Sequence, residues 1–164
     1  MEKQTITVFG AAAGIVVLGI AGFLFLNRGS RLELEGSVQK VRTQSLDADN
    51  TFAVVDFRFS NTSDYPFVVK EVTVTLEGKD GSKKVGTILP EMDAKRIIDY
   101  YKEIGPKYND SLTMRTKIPG RQTADRMIAV TFNVPVAQVE ARKRLVLKID
   151  DLDGPSSEVA EAAR

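Results

Sequence analysis

The sequence predicts a mainly β protein: an antiparallel β-sandwich, preceded by a single membrane-crossing helix and interrupted by one short inserted helix. Three observations predict it. An uncharged apolar run fills residues 6–26. From Leu32 onward the apolar residues recur with a period of two rather than 3.6. That alternation breaks once, between Glu91 and Ile104, where the spacing turns helical. The expected organisation is an N-terminal stub over 1–5, a transmembrane helix over 6–26, a linker over 27–31, a sandwich over 32–154 and a flexible tail over 155–164.

Ile6 to Leu26 is 21 residues long, without a charge. As a helix it would span about 31 Å, the hydrocarbon thickness of a bilayer. A cleaved signal peptide would carry a shorter apolar run ending at small residues. This run ends in Phe23-Leu24-Phe25-Leu26-Asn27-Arg28, too bulky for such a site, and the chain has no Cys to carry a lipid. Gly10 and Gly14 form a GxxxG, and Val17 and Ala21 continue along the same face. Small residues let a second helix approach closely. The expected partners in the membrane are therefore lipid and other transmembrane subunits, or a second copy of the same helix.

The first strand is read from Leu32-Glu33-Leu34-Glu35 through Val38 and Val41. The clearest strand is Phe52 to Ser60, with Ala53, Val55, Phe57 and Phe59 toward a core and Asp56, Arg58 and Ser60 toward water. Asn61-Thr62-Ser63-Asp64 makes a turn. Phe67 to Leu76 follows, with Val72, Val74 and Leu76 inward. Gly78-Lys79-Asp80-Gly81-Ser82 is a hairpin turn, because Asp and Gly tolerate the positive φ it needs. Lys84 to Leu89 returns as one short strand. In the helical stretch Met92, Ile97, Ile98, Tyr101 and Ile104 share a face, and Gly105-Pro106 ends it. Ser111 to Thr116 and Met127 to Val134 are further strands, separated by the turn at Pro119-Gly120. Pro135 to Arg142 connects to a last strand at Leu145, Leu147 and Ile149. About seven strands separated by turn signals give the sandwich. The tail from Pro155 shows no core pattern.

Composition narrows the chemistry. Lys and Arg number 23 against 22 Asp and Glu, for a net charge of +1, which argues against nucleic acid as a partner. The chain has no His and no Cys. The commonest general base and the usual ligands of zinc and iron–sulfur centres are missing. Ser37-x-x-Lys40 has a serine-hydrolase spacing but falls in a strand, and its companion motifs are absent. Asp47, Asp49 and Asn50, like Asp150, Asp151 and Asp153, read as turn residues rather than as a calcium loop. We therefore expect no enzyme, no metal and no cofactor. Arg142-Lys143-Arg144 reads as a solvated connector. On the inserted helix, Arg96, Tyr100 and Lys102 are the candidate partner surface, since Arg and Tyr are frequent interface anchors. The competing expectation is a helix that merely caps one end of the sandwich, with Ile97, Ile98 and Tyr101 buried.

The stretch VVDFRFSNTSDYPFVVKEVTVTLEGKDG, residues 54–81, has a strand ending in Asn, then V-x-V-x-L, then an acidic-Gly turn. It resembles the bacterial FxLYD-type and late-embryogenesis-abundant type 2 sandwiches, and Ile118-Pro119-Gly120 looks like their later Pro-Gly turn. The similarity covers about residues 36 to 150, with the Glu91–Ile104 helix departing as an insertion. The resemblance implies an immunoglobulin-like or fibronectin-like sandwich, often tethered to a membrane, without catalysis and with no particular ligand. It also bears on orientation. Lys3 faces Arg28, Arg31, Lys40 and Arg42 across the apolar run, a count that favours a cytoplasmic C-terminal side. Long following domains cross regardless of charge, and domains of this type are usually extracytoplasmic, so we expect the sandwich outside. The functional expectation is a non-enzymatic, single-pass accessory or scaffold subunit that docks through its helix and presents the sandwich to partner proteins. The alternative is a ligand- or envelope-binding module for which the helix is only an anchor.

Overall fold

The computed structural model describes residues 33–163. The expected membrane span over 6–26, with Gly10, Gly14, Val17 and Ala21, lies outside these residues. Among the described residues no helix is long and apolar enough to cross a membrane.

Nine strands form two layers. One contains β1 (Leu34–Ser45), β2 (Thr51–Asn61), β7 (Thr123–Phe132) and β5 (Thr87–Ile88), in that order. The other contains β9 (Ser156–Ala160), β8 (Arg144–Asp151), β3 (Phe67–Glu77) and β4 (Lys83–Val85). The short β6 (Lys117–Ile118) pairs with the start of β3. Among the described residues the pairings between these strands are antiparallel except that of β9 with β1, where Ser37 faces Ala160 and the two layers join; outside the strands Ser111 forms an isolated parallel bridge to Met127. The expected antiparallel β-sandwich is what the chain forms.

The core lies between the layers. Phe57 and Phe59 of β2, and Ile128, Val130 and Phe132 of β7, meet Val74 and Leu76 of β3 and Leu145, Leu147 and Ile149 of β8. All are at most 2% exposed, and each large side chain contributes on the order of 2–3 kcal/mol by leaving water. Alternation along β2 has a second use. Phe52 and Val54 point to the outer face, where with Met127 and Ala129 of β7 they pack under α1 (Glu91–Tyr100). The charged side of β2 therefore does not simply meet water, as expected: Asp56 is buried.

Four segments differ from expectation. Lys84 to Leu89 is not one strand. It leaves β4 on one layer and joins β5 on the other, crossing at Gly86, where a Cβ would lie 2.3 Å from Val130 Cγ2 and 2.7 Å from Phe132 Cε1. Ser111 to Thr116 is a loop, because its polar groups are used locally. Leu112 N–H donates to Met127 O at 2.8 Å, and Thr113 to Thr116 closes a tight turn with Arg115 at φ 64°. The tail supplies β9, with Val159 fully buried and the Ser157 hydroxyl accepting from Leu34 N–H at 2.8 Å. Arg142 is no solvated connector. It is 2% exposed and clasps the Glu161 carboxylate with two bonds of 2.7 and 2.8 Å, its third nitrogen reaching Val139 O at 2.9 Å. The short helix α2 (Val136–Glu140) supplies that carbonyl.

Turn chemistry follows the sequence elsewhere. Asn61 Nδ2 donates to the carbonyls of Tyr65, Ile118 and Pro119, while its Oδ1 accepts from Ser63. One buried amide thus ties two loops to the end of β2. Gly81 takes φ 84° in the β3–β4 hairpin. The Asp47 carboxylate accepts from Asp49 N–H and Asn50 Nδ2 in the β1–β2 connection, and Asp151 accepts from Val68 N–H at 2.8 Å. Both acidic clusters are employed in turns and strand ends.

Candidate functional site, the inserted helix and its flank

Between β5 and β7 the chain makes an excursion over the outer face of β2 and β7. Pro90 opens α1, its carbonyl accepting from Asp93 and Ala94 N–H at 3.1 and 3.0 Å. Glu91 and Asp93 sit in the first turn, where negative charge complements the helix dipole. After Tyr100 a 3₁₀ turn, Lys102–Ile104, ends at Gly105, whose φ of 80° suits a residue without Cβ. Ala94, Ile98 and Ile104 are buried against the sheet.

The excursion is fastened at both ends. Lys107 forms an ion pair with Glu91 at the start of α1. Behind the helix, buried Arg42 of β1 binds Asp56 Oδ2 through Nε and Nη2 at 3.1 and 3.0 Å. Its Nη1 donates to the carbonyls of Ile104 and Pro106 at 2.9 and 2.8 Å. Asn109 Nδ2 completes the network at Asp56 Oδ1, 2.9 Å away. The Tyr108 ring lies 5.0 Å from the Arg42 guanidinium carbon and 5.9 Å from Lys40 Nζ, both cation–π distances. Every polar atom of the Arg42–Asp56 pair that enters the sheet is met, as burial of a charge requires.

The helix therefore rests on a sheet face rather than capping an end of the sandwich. Ile98 is buried as expected; Ile97 and Tyr101 are only half-buried. Met92, expected on the inner face, is 69% exposed. It stands one turn from Arg96, and Arg96 one turn from Tyr100, which is 78% exposed. The structure brings Arg96 and Tyr100 together on the outward side. Lys102 sits apart from them in the 3₁₀ turn, also exposed. Arg96 holds only a loose contact with Asp93, 3.5 Å apart, and Tyr100 packs edge-to-face on Tyr101 with centroids 4.8 Å apart. Ser37 and Lys40 lie on β1, where the Ser37 hydroxyl accepts from Gln39 Nε2. Sequence reasoning missed the Arg42–Asp56 network. The available signal was a charged residue at an alternate position of each of two neighbouring strands.

Comparison with family models finds no match, and comparison with curated proteins finds none. Among solved structures the chain is similar to an uncharacterized β-sandwich protein from Clostridium difficile 630. The two are 12% identical over 78% of this chain and 85% of that one, with a TM-score of 0.39.

Proposed function

We propose that the chain is a non-enzymatic, single-pass membrane accessory subunit whose sandwich presents the outward side of α1 to a partner protein. The observation that carries this is the display of Met92, Arg96 and Tyr100 on a helix whose other side is held down by Ala94 and Ile98. An exposed Arg, Tyr and Met on one helix face is the composition of an interface centre. The uncharged run over 6–26 supports the membrane anchor, with Gly10, Gly14, Val17 and Ala21 as its packing face. The sandwich is placed outside the cytoplasm on the expectation given for this domain type.

The finer fold reading belongs to the same proposal. One layer runs β1, β2, β7, β5 and the other β9, β8, β3, β4. Lettered in chain order, with β6 left out, these are strands A, B, E, D and G, F, C, C′ of an immunoglobulin-like sandwich. On that lettering α1 is an insertion between D and E. This supports the immunoglobulin-like reading and is compatible with the FxLYD and late-embryogenesis-abundant resemblance.

The test is co-purification of the full chain after gentle detergent extraction, with quantitative mass spectrometry. Arg96→Ala with Tyr100→Ala is expected to reduce a specific partner's recovery roughly tenfold or more. Gly14→Ile is expected to reduce recovery of membrane-embedded partners. If both variants recover the same proteins in the same amounts as the parent, the reading fails.

A further inference from the structure

We infer that a groove at the open edge of the sandwich, where β3 looks across to β5 and β7, binds a small organic cation with an apolar body, in class an aryl-alkyl amine. The inference goes beyond the partner-protein reading and involves different residues. The groove has a volume of about 490 Å³, within the range of small-molecule sites. It exists because the chain covers the edge of β7 discontinuously. Leu89 N–H donates to Ala129 O at 2.9 Å, and Leu112 N–H donates to Met127 O at 2.8 Å. Between those two anchor points the chain leaves a space lined by Val72, Ile88, Leu112 and Ile128.

Two features choose the ligand. The first is charge. Glu71 and Glu91 line the groove, and among the described residues no Lys or Arg does. Glu91 already holds Lys107, whereas among the described residues no cation lies within ion-pair distance of Glu71. The lip therefore carries an uncompensated negative charge, which attracts an ammonium group and repels a carboxylate. The second is Ser111. It lines the groove, and its hydroxyl, shielded from solvent, has no hydrogen-bond partner among the described residues. Buried hydroxyls are almost always paired, and rotation about its Cα–Cβ bond would turn this one toward the groove to accept from a ligand N–H.

The chain contains no Trp, so an indole probe is read without background from the protein's own indoles. The experiment titrates the full chain, in phosphatidylcholine nanodiscs, into tryptamine and into indole-3-propionic acid, following indole anisotropy with empty nanodiscs as reference. Tryptamine is expected to saturate with a dissociation constant between about 50 µM and 1 mM, the range that fragment-sized ligands reach. The acid is expected to bind at least about fivefold more weakly, and Glu71→Gln to lower tryptamine affinity about two- to fivefold, as for a single exposed ion pair. Val72→Phe fills the groove and is expected to abolish saturation. Glu71 is exposed, so its variant tests the charge preference even where Val72→Phe disturbs folding. Equal binding of amine and acid, no saturation by 5 mM, a value chosen as roughly fivefold above the weakest expected constant, or indifference to Glu71→Gln overturns the inference.

Discussion

Arg42 shows how one side chain decides where a whole segment lies. Its guanidinium fork spends two nitrogens on Asp56 and one on two carbonyls of the loop after α1. Arg42 and Asp56 are 8% and 6% exposed. Water therefore cannot replace a missing partner. Arg42→Ala is expected to lower stability by about 3–5 kcal/mol, because the Asp56 carboxylate is left buried and half-paired. Arg42→Met together with Asp56→Leu is expected to restore much of that loss, since two apolar side chains need no partner. Urea unfolding followed by circular dichroism reads both. A loss below about 1 kcal/mol for Arg42→Ala would mean that water reaches the pair. The fork also predicts a local effect: in Arg42→Ala the loop at 104–109 is expected to become the first site of limited proteolysis, before global unfolding.

At the scale of elements, the strands that were legible in the sequence are those with several large apolar residues on alternate positions. Residues assigned to the interior of β2, β3, β7 and β8, such as Phe57, Val74, Val130 and Leu147, are buried, while the burial of Phe52, Val54, Asp56 and Met127 on the opposite face was not legible because the covering helix comes from a distant segment. The inserted helix was legible from Ile98 and Ile104, and from Gly105 as its stop. β9 was not, because a five-residue strand places only Ser157 and Val159 inward, and Ser157 is polar. Its hydroxyl is buried for the sake of Leu34 N–H, a partner 123 residues away, and no local pattern encodes that. The groove was illegible for the same reason, being assembled from β3, β5, α1, β7 and the 111–114 loop. Arg96 and Tyr100 were legible as a helical pair, while Lys102 fell outside the helix because the chain tightens to a 3₁₀ turn. The hidden strand carries an expectation of its own. β9 bonds to β8 along five residue pairs and meets β1 at the Ser37–Ala160 pair and the Leu34–Ser157 bond, so it closes the seam between layers, and Glu161 just beyond it neutralises Arg142. Val159→Ala is expected to cost about 2 kcal/mol. A chain ending at Gly154 is expected to lose its cooperative thermal transition, with β1 and β8 amides exchanging freely. A sharp transition near the parent temperature in that shortened chain would show that β9 is dispensable.

At the scale of the whole molecule, near-zero net charge conceals an ordered surface. Arg58 grips Asp125 across β2 and β7 at 2.7 Å, Arg121 holds Asp64 at 2.8 Å, and Arg144 and Lys83 converge on Glu77 at 2.6 and 3.1 Å. Each of these carboxyls is held below its ordinary range, chiefly by the hydrogen bond from its arginine. Asp47 is lowered chiefly by the Asn50 amide, and Asp150 chiefly by the Ser156 hydroxyl. The direction is the same throughout, so the effects add in sign. A carboxyl whose folded pKa lies below its unfolded one releases its proton more readily in the native state. It therefore stabilises the fold above the unfolded value, roughly pH 4, and that contribution disappears as pH falls through the lower folded value. Asp47 and Asp64 are exposed and Glu77, Asp125 and Asp150 partly so, so each contributes modestly and salt screens it. The expected profile is a melting temperature level from pH 7 to about 5 that declines steadily below about 4. Glu77→Gln removes one contributor and is expected to melt slightly lower at pH 7 yet lose less on acidification, because Gln has no proton to take up. Thermal scans from neutral pH to about pH 2.5, a limit set below the ordinary carboxyl range, measure both slopes. Parallel slopes for parent and variant would show that Glu77 does not contribute to the acid sensitivity.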